Sequence, residues 1–143
     1  YTGMRLQNKR VIVTGGGSGI GRSITTRFLK EGANVLVADI KQPAKYHPLV
    51  LGTESNPGVY FFETDVSDEE NVNTMVNHCI GLMGGIDIVV NNAASFIFGT
   101  VDGLDNTEWM EAISVNVVGA ANVCKATLEY LKASDNSSII NVA

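Results

Sequence analysis

The stretch Thr14-Gly15-Gly16-Gly17-Ser18-Gly19-Ile20-Gly21 lies between a short apolar run, Val11-Ile12-Val13, and a segment where Ile20, Ile24 and Phe28 recur at i, i+4 and i+8. That order reads as strand, tight turn, helix, with Gly32 as the helix end. Glycines let the backbone reverse within few residues. They also let a phosphate approach free N–H groups at the helix start, where the dipole favours negative charge. A turn serving strand-to-helix packing alone remains the alternative at this point.

Four further apolar runs follow: Val35 to Ala38, Val59 to Phe62, Ile86 to Val90 and Ile139 to Val142. Short runs rich in Val and Ile suit strands covered on both faces. Ser67-Asp68-Glu69-Glu70 reads as a capping box, with Val72, Met75, Val76, Cys79 and Ile80 as the inner face of its helix. A third helix is expected from about Asn106 to about Lys132, with Trp109, Ile113, Val117, Ala121, Cys124 and Leu128 turned inward. Lys41 to Pro57 carries Pro43, Pro48 and Pro57, so a long helix is not expected there, although a short one starting at Pro48 is possible. Alternating strands and helices predict an α/β fold, a doubly wound parallel sheet of three layers with right-handed crossovers. We expect a single Rossmann-like domain over residues 1–143.

Bulk properties narrow the partners. A net charge of −5 argues against a nucleic-acid or anionic-membrane surface, so an anion needs a local, directed site. No apolar run is long enough to span a bilayer, and Tyr1 to Arg10 lacks a signal-peptide core, so a cytoplasmic location is expected. Cys79 and Cys124 are read as buried thiols, and His47 and His78 as surface residues. No cluster has metal-ligand spacing, so no metal is expected.

Two phosphate-binding patterns compete for the glycine turn. Gly16 to Ser23 is one residue from a P-loop, but Arg22 stands where that motif needs lysine, which makes a nucleotide hydrolase remote. The spacing G-x-G-x-x-G is absent as well. Asp39 closes the second strand 18 residues after Gly21, where a carboxylate can accept hydrogen bonds from both adenosine ribose hydroxyls. The same charge repels a 2′-phosphate, so NAD is favoured over NADP, with Lys41 the nearby counter-argument. Asp39 as a plain turn residue stays open.

Together these residues resemble the short-chain dehydrogenase/reductase family. Its motif T-G-x-x-x-G-x-G is matched by Thr14, Gly15, Gly19 and Gly21. Asp65-Val66 looks like its adenine-contacting Asp, Asn91-Asn92-Ala93 resembles its N-N-A-G signature, and Asn116 resembles its catalytic-tetrad Asn. The cofactor contacts so implied are Gly15, Gly17, Ser18, Gly19, Ile20 and Gly21 in the turn, Asp39 and Ile40, Asp65 and Val66, Asn92, Ala93 and Ala94, and Val115. Asn116 is the catalytic candidate. The resemblance implies that it bends its helix and frees a carbonyl to hold a proton-relay water. Beside that reading, Asp65 could simply cap a turn, Asn91 is read as structural, and Asn116 could be a satisfied core amide near Ile113 and Val117.

The sequence departs from the family at Ala94, which replaces a glycine and faces the expected cofactor path. It also contains no Tyr-x-x-x-Lys pair: Tyr1, Tyr46, Tyr60 and Tyr130 are followed four positions on by Arg5, Val50, Thr64 and Ser134. Ser138 to Ala143 resembles the run leading to the family's catalytic Ser, so the domain is expected to be C-terminally incomplete, lacking the last strands. The resemblance implies an oxidoreductase moving a hydride between NAD and a secondary alcohol or ketone in the intact protein. An NAD-binding or regulatory protein without chemistry is the second reading. The 143 residues alone are expected to be inactive, with an apolar sheet edge exposed. Ser95 to Gly99 is the one candidate substrate wall, where Phe96, Ile97 and Phe98 could line an apolar pocket, although ordinary loop packing is the preferred reading; a homo-oligomer, dimer or tetramer, is expected by resemblance.

Overall fold

The structure is a computed structural model and describes residues 4–42 and 58–143. The three prolines, His47 and any helix at Pro48 lie outside the described residues. Strand β1 (Arg10–Thr14) leads through the glycine turn into α1 (Gly19–Lys30) and β2 (Asn34–Asp39). Then come β3 (Val59–Glu63), α2 (Glu69–Met83), β4 (Ile88–Asn91) and, after a long helical segment, β5 (Ser138–Asn141). All pairings are parallel, in the order β3-β2-β1-β4-β5, with Ile12 opposite both Leu36 and Val89. This is the doubly wound, Rossmann-like sheet that the alternation predicts.

The strand side chains alternate between two cores. Ile12, Leu36, Ala38 and Val89 face α2 and pack with Val72, Met75, Val76 and Cys79. Val11, Val13, Val35, Val37, Ile88 and Val90 face the opposite layer, against Ile24, Phe28 and Leu29 of α1. Helices on both faces explain why the strands are apolar throughout rather than alternating. Inside this core, burial pushes the Cys79 thiol up to about 12. Cys124, by contrast, is only half-buried.

At the amino ends of the strands, Arg10 joins β1 to the residue before β4. Its Nε and a terminal nitrogen donate to the two carboxylate oxygens of Asp87 at 2.9 and 3.0 Å, and its backbone N–H adds a third bond at 2.8 Å. Ser134 Oγ donates to the same carboxylate at 2.7 Å. The Arg10 hydrogen bonds hold the Asp87 carboxyl well below the usual carboxylate range against the opposing effect of burial.

Three expectations are corrected. The cap of α2 is Asp68, whose Oδ1 accepts from the Asn71 N–H at 3.1 Å, whereas Ser67 donates both its N–H and its hydroxyl to Asp65. Ile20 does not pack inward: it is 65% exposed, and the innermost residues of α1 are Gly21 and Thr25.

The third correction concerns the long helix, which is broken into α3 (Asn106–Ile113), a π-helical segment (Ser114–Gly119) and α4 (Ala120–Ala133). An i→i+5 turn adds a residue to the helical repeat and shifts the phase of everything after it. The buried face is therefore Gly119, Val123, Thr127 and Leu131. Trp109, Ile113, Val117 and Leu128 of the expected stripe are exposed.

Strand β5 lies at the edge of the described sheet, with Ile139 and Ile140 each 42% exposed.

Candidate active site

The strand order reverses between β1 and β4, and in open parallel sheets the crevice at that switch, outside the carboxyl ends of the strands, is where ligands bind. A cleft of about 370 Å³ opens there. Gly15, Ser18, Gly19 and Ile20 line it from the turn, Asp39 and Ile40 from the end of β2, and Asp65 and Val66 from beyond β3. Asn92, Ala93 and Ala94 close the β4 side, with Val115 from the π segment. Thus twelve of the cofactor contacts expected from the sequence share one cavity.

The turn is shaped to leave room. Gly19 has φ +51, a conformation that disfavours side chains, and a Cβ built there would meet nothing within 4 Å. Gly21 is the opposite case: a Cβ would fall on the Gly15 carbonyl oxygen and the Asn92 amide nitrogen. Gly21 therefore lies beneath the cleft rather than in its lining, and its part is close packing. Gly17 is likewise outside the lining, with its N–H donating to Asp39 Oδ2 at 2.9 Å.

The Ile40 N–H donates to the other oxygen of Asp39 at 2.8 Å, so two backbone bonds orient this carboxylate. Each oxygen keeps acceptor capacity for a ligand hydroxyl. Asp65 does cap its turn, with Oδ1 accepting from the Ser67 N–H at 2.9 Å and Oγ–H at 2.6 Å. Asn122 of α4 holds the Val66 carbonyl at 3.0 Å, an anchor that sequence reasoning did not single out.

The ends of β1 and β4 are pinned by Thr14, which is fully buried. Its Oγ1 accepts from the N–H groups of Asn92 and Ala93, both at 3.0 Å. In return, Asn92 Nδ2 donates to the carbonyls of Thr14 and Gly15 at 3.2 and 3.3 Å. Asn91 acts within the sheet, as expected, donating to Asn141 Oδ1 at 2.9 Å.

Asn116 sits inside the π segment and is exposed, which removes the alternative of a core amide. It is paired nonetheless: Oδ1 accepts from the Ser95 N–H at 2.8 Å and Nδ2 donates to the Ser95 carbonyl at 2.9 Å. It lines a second cavity of about 400 Å³, with Thr14, Asn91, Cys124 and Asn141, and not the cleft. Three residues of the cleft escaped sequence reasoning as cofactor contacts: Ala38, Thr64 and Phe96. Phe96 is 76% exposed and Phe98 is 89% exposed, so the loop-packing reading does not hold for these two rings, whereas Ile97 is half-buried.

A family model described as short chain dehydrogenase matches residues 9–143. The chain belongs to the short-chain dehydrogenase family. Among curated proteins, the chain is 34% identical over 138 residues to an uncharacterized oxidoreductase of Thermotoga maritima, covering 96% of the chain and 54% of that protein. It is 33% identical over 141 residues to the 3-oxoacyl-(acyl-carrier-protein) reductase FabG of the same organism, covering 98% and 57%. The chain therefore spans a little over half the length of these relatives.

Solved structures agree on the fold. The ligand-free aldohexose dehydrogenase of Thermoplasma acidophilum matches with a TM-score of 0.85 and 31% identity over 96% of this chain and 50% of its own. A short-chain dehydrogenase/reductase of Brucella melitensis, titled a glucose/ribitol dehydrogenase, matches with a TM-score of 0.89 and 26% identity over 99% and 59%. The family consists of oxidoreductases that use nicotinamide cofactors and small-molecule substrates.

Proposed function

We propose that this short-chain dehydrogenase is the cofactor-binding part of an NAD(H)-dependent oxidoreductase acting on a secondary alcohol or ketone. The observation that carries the reading is the single cleft that joins the glycine turn, Asp39, Asp65 and Asn92-Ala93-Ala94. Its residues fit a dinucleotide: open space at Gly19 admits a pyrophosphate to the start of α1, and the Asp39 carboxylate accepts from ribose hydroxyls. When bound, the nicotinamide supplies hydride chemistry.

In this reading Gly15, Gly17, Ser18, Gly19, Ile20 and Gly21 shape and line the phosphate side, while Ile40, Asp65 and Val66 flank the adenine. Ala94 and Val115 face the reacting end. Asn116 is the catalytic candidate, holding the loop after β4 through Ser95 and, by family resemblance, serving a proton relay. The sequence contains no Tyr-x-x-x-Lys pair to move the substrate proton, so turnover is proposed for the full-length protein. A cytoplasmic homo-oligomer fits the reading, with the exposed stripe of Trp109, Ile113 and Val117 as the face a second copy covers.

Calorimetry of the full-length protein with NADH and NADPH tests the cofactor. Tighter binding of NADH is expected, and the reverse order would sink the assignment. Reduction of NAD by simple secondary alcohols, followed at the nicotinamide absorbance, tests the reaction.

A further inference from the structure

Two aromatic side chains in the loop after β4 are exposed among the described residues. Phe96 and Phe98 are 76% and 89% exposed, although burying a ring of that size is worth about 2 kcal/mol to a protein. Their rings are nearly parallel, at 17°, with centroids 6.5 Å apart. The run carrying them is tied at its start and followed by a local turn. On one side Ser95 exchanges two hydrogen bonds with Asn116, and on the other the Leu104 N–H donates to the Thr100 carbonyl at 3.0 Å.

Position gives the rings a direction. Along the mouth of the cleft the order follows the sheet: Asp65 beyond β3, Asp39 at β2, the glycine turn at β1, then Ala94 and Phe96 after β4. If Asp39 holds the adenosine ribose, the other half of a dinucleotide extends toward β4, and Phe96 stands where the reacting end arrives. From Ser95 to Gly99 the run carries no charge. Such a surface recognises a flat apolar group by contact and cannot recognise an anionic one.

We infer that Phe96, extended by Phe98, is a specificity-determining wall that favours substrates bearing an aromatic or cyclic group next to the alcohol or ketone carbon. The inference rests on the proposed alcohol–ketone activity and adds the substrate class. The chemistry is the transfer of two electrons and a proton as hydride from the alcohol carbon to NAD, with the hydroxyl proton released. Phe96 touches only the substituent.

The test measures kcat/KM of the full-length protein for 1-phenylethanol and for 2-propanol with NAD. Phe96→Ala should lower the ratio of the two values about tenfold, and Phe96→Leu, which keeps apolar bulk without a flat face, should lower it less. Phe98→Ala should shift the ratio in the same direction. Thermal melts identify variants that fold, and Phe96→Leu carries the test if Phe96→Ala does not. A ratio unchanged in folded variants overturns the inference, as happens if the rings are covered by another segment or a second copy. A wild type that binds NADH but oxidises neither alcohol overturns the parent reading, and this one with it.

Discussion

Asp39 and Gly17 are joined by a hydrogen bond of 2.9 Å from the glycine N–H to carboxylate Oδ2, so the end of β2 and the glycine turn are set relative to one another within the fold itself. A carboxylate already oriented loses little freedom on binding. Replacing Asp39 with Ala removes charge-assisted acceptors worth about 2 kcal/mol. NADH binding should weaken about thirtyfold, while NADPH, relieved of the repulsion, should weaken less. Calorimetry with both nucleotides reads the change in preference, and a preserved preference would exclude Asp39 as its source.

The two glycines of the turn should fail in different ways. Gly21→Ala forces a methyl onto the Gly15 carbonyl, which is backbone and cannot swing aside, and should cost about 3 kcal/mol of stability. Gly19→Ala meets open space and should cost about 1 kcal/mol through its positive φ, yet it places a methyl where the pyrophosphate is proposed to approach. Urea melts and NADH titrations should therefore rank the two variants in opposite orders.

The Arg10–Asp87 pair sets an acid limit. Because the folded-state pKa of Asp87 is lowered, its contribution is present above the unfolded value of about 3.9 and is lost as pH falls toward the folded one. Asp87→Asn strands Arg10 and should cost about 3 kcal/mol at neutral pH. Urea midpoints at pH 7, 5 and 3 should show this cost undiminished at pH 5 and reduced at pH 3. A constant difference would mean that Asp87 acts by shape alone.

Asn116→Ala deletes both hydrogen bonds to Ser95 and should cost about 2 kcal/mol if the loop does not find new partners. In the full-length protein kcat should fall more than tenfold, with a smaller change in the KM for NAD. Asn116→Asp keeps the acceptor for the Ser95 N–H but turns an oxygen toward its carbonyl, so it should rescue little. Near-wild-type turnover by either variant would remove Asn116 from the mechanism.

The sheet was legible because its signal is redundant: Val11 to Val13 and Val35 to Ala38 read as strands under any register, since both faces are covered. The placement of Asp39 and Asp65 on the wall of the cleft was legible because strand ends follow from strand positions. The face of the long helix was not. Counting 3.6 residues per turn on to Leu128 assumes an unbroken helix, and the π turn before it shifts the phase without a hydrophobic period to betray it. Trp109 and Ile113, by contrast, precede that turn in a helix that buries no residue. Exposure at Phe96 was hidden for a related reason, because a loop has no period from which its outward positions can be counted. Thr14 escaped notice as a buried acceptor, since a hydroxyl in a motif says nothing about which strand ends it will meet.

That hydroxyl has a wider consequence. With Asn92 and Ala93 both hung on Thr14 Oγ1, and Asn92 returning two bonds to the glycine turn, the floor of the cleft behaves as one rigid piece. Innovation in such a molecule is confined to its rim. Ile20, Ile40 and Phe96 touch the cavity yet are exposed, so they can be exchanged at small cost to the sheet. A laboratory altering what this cleft accepts would vary those positions and leave the pin alone.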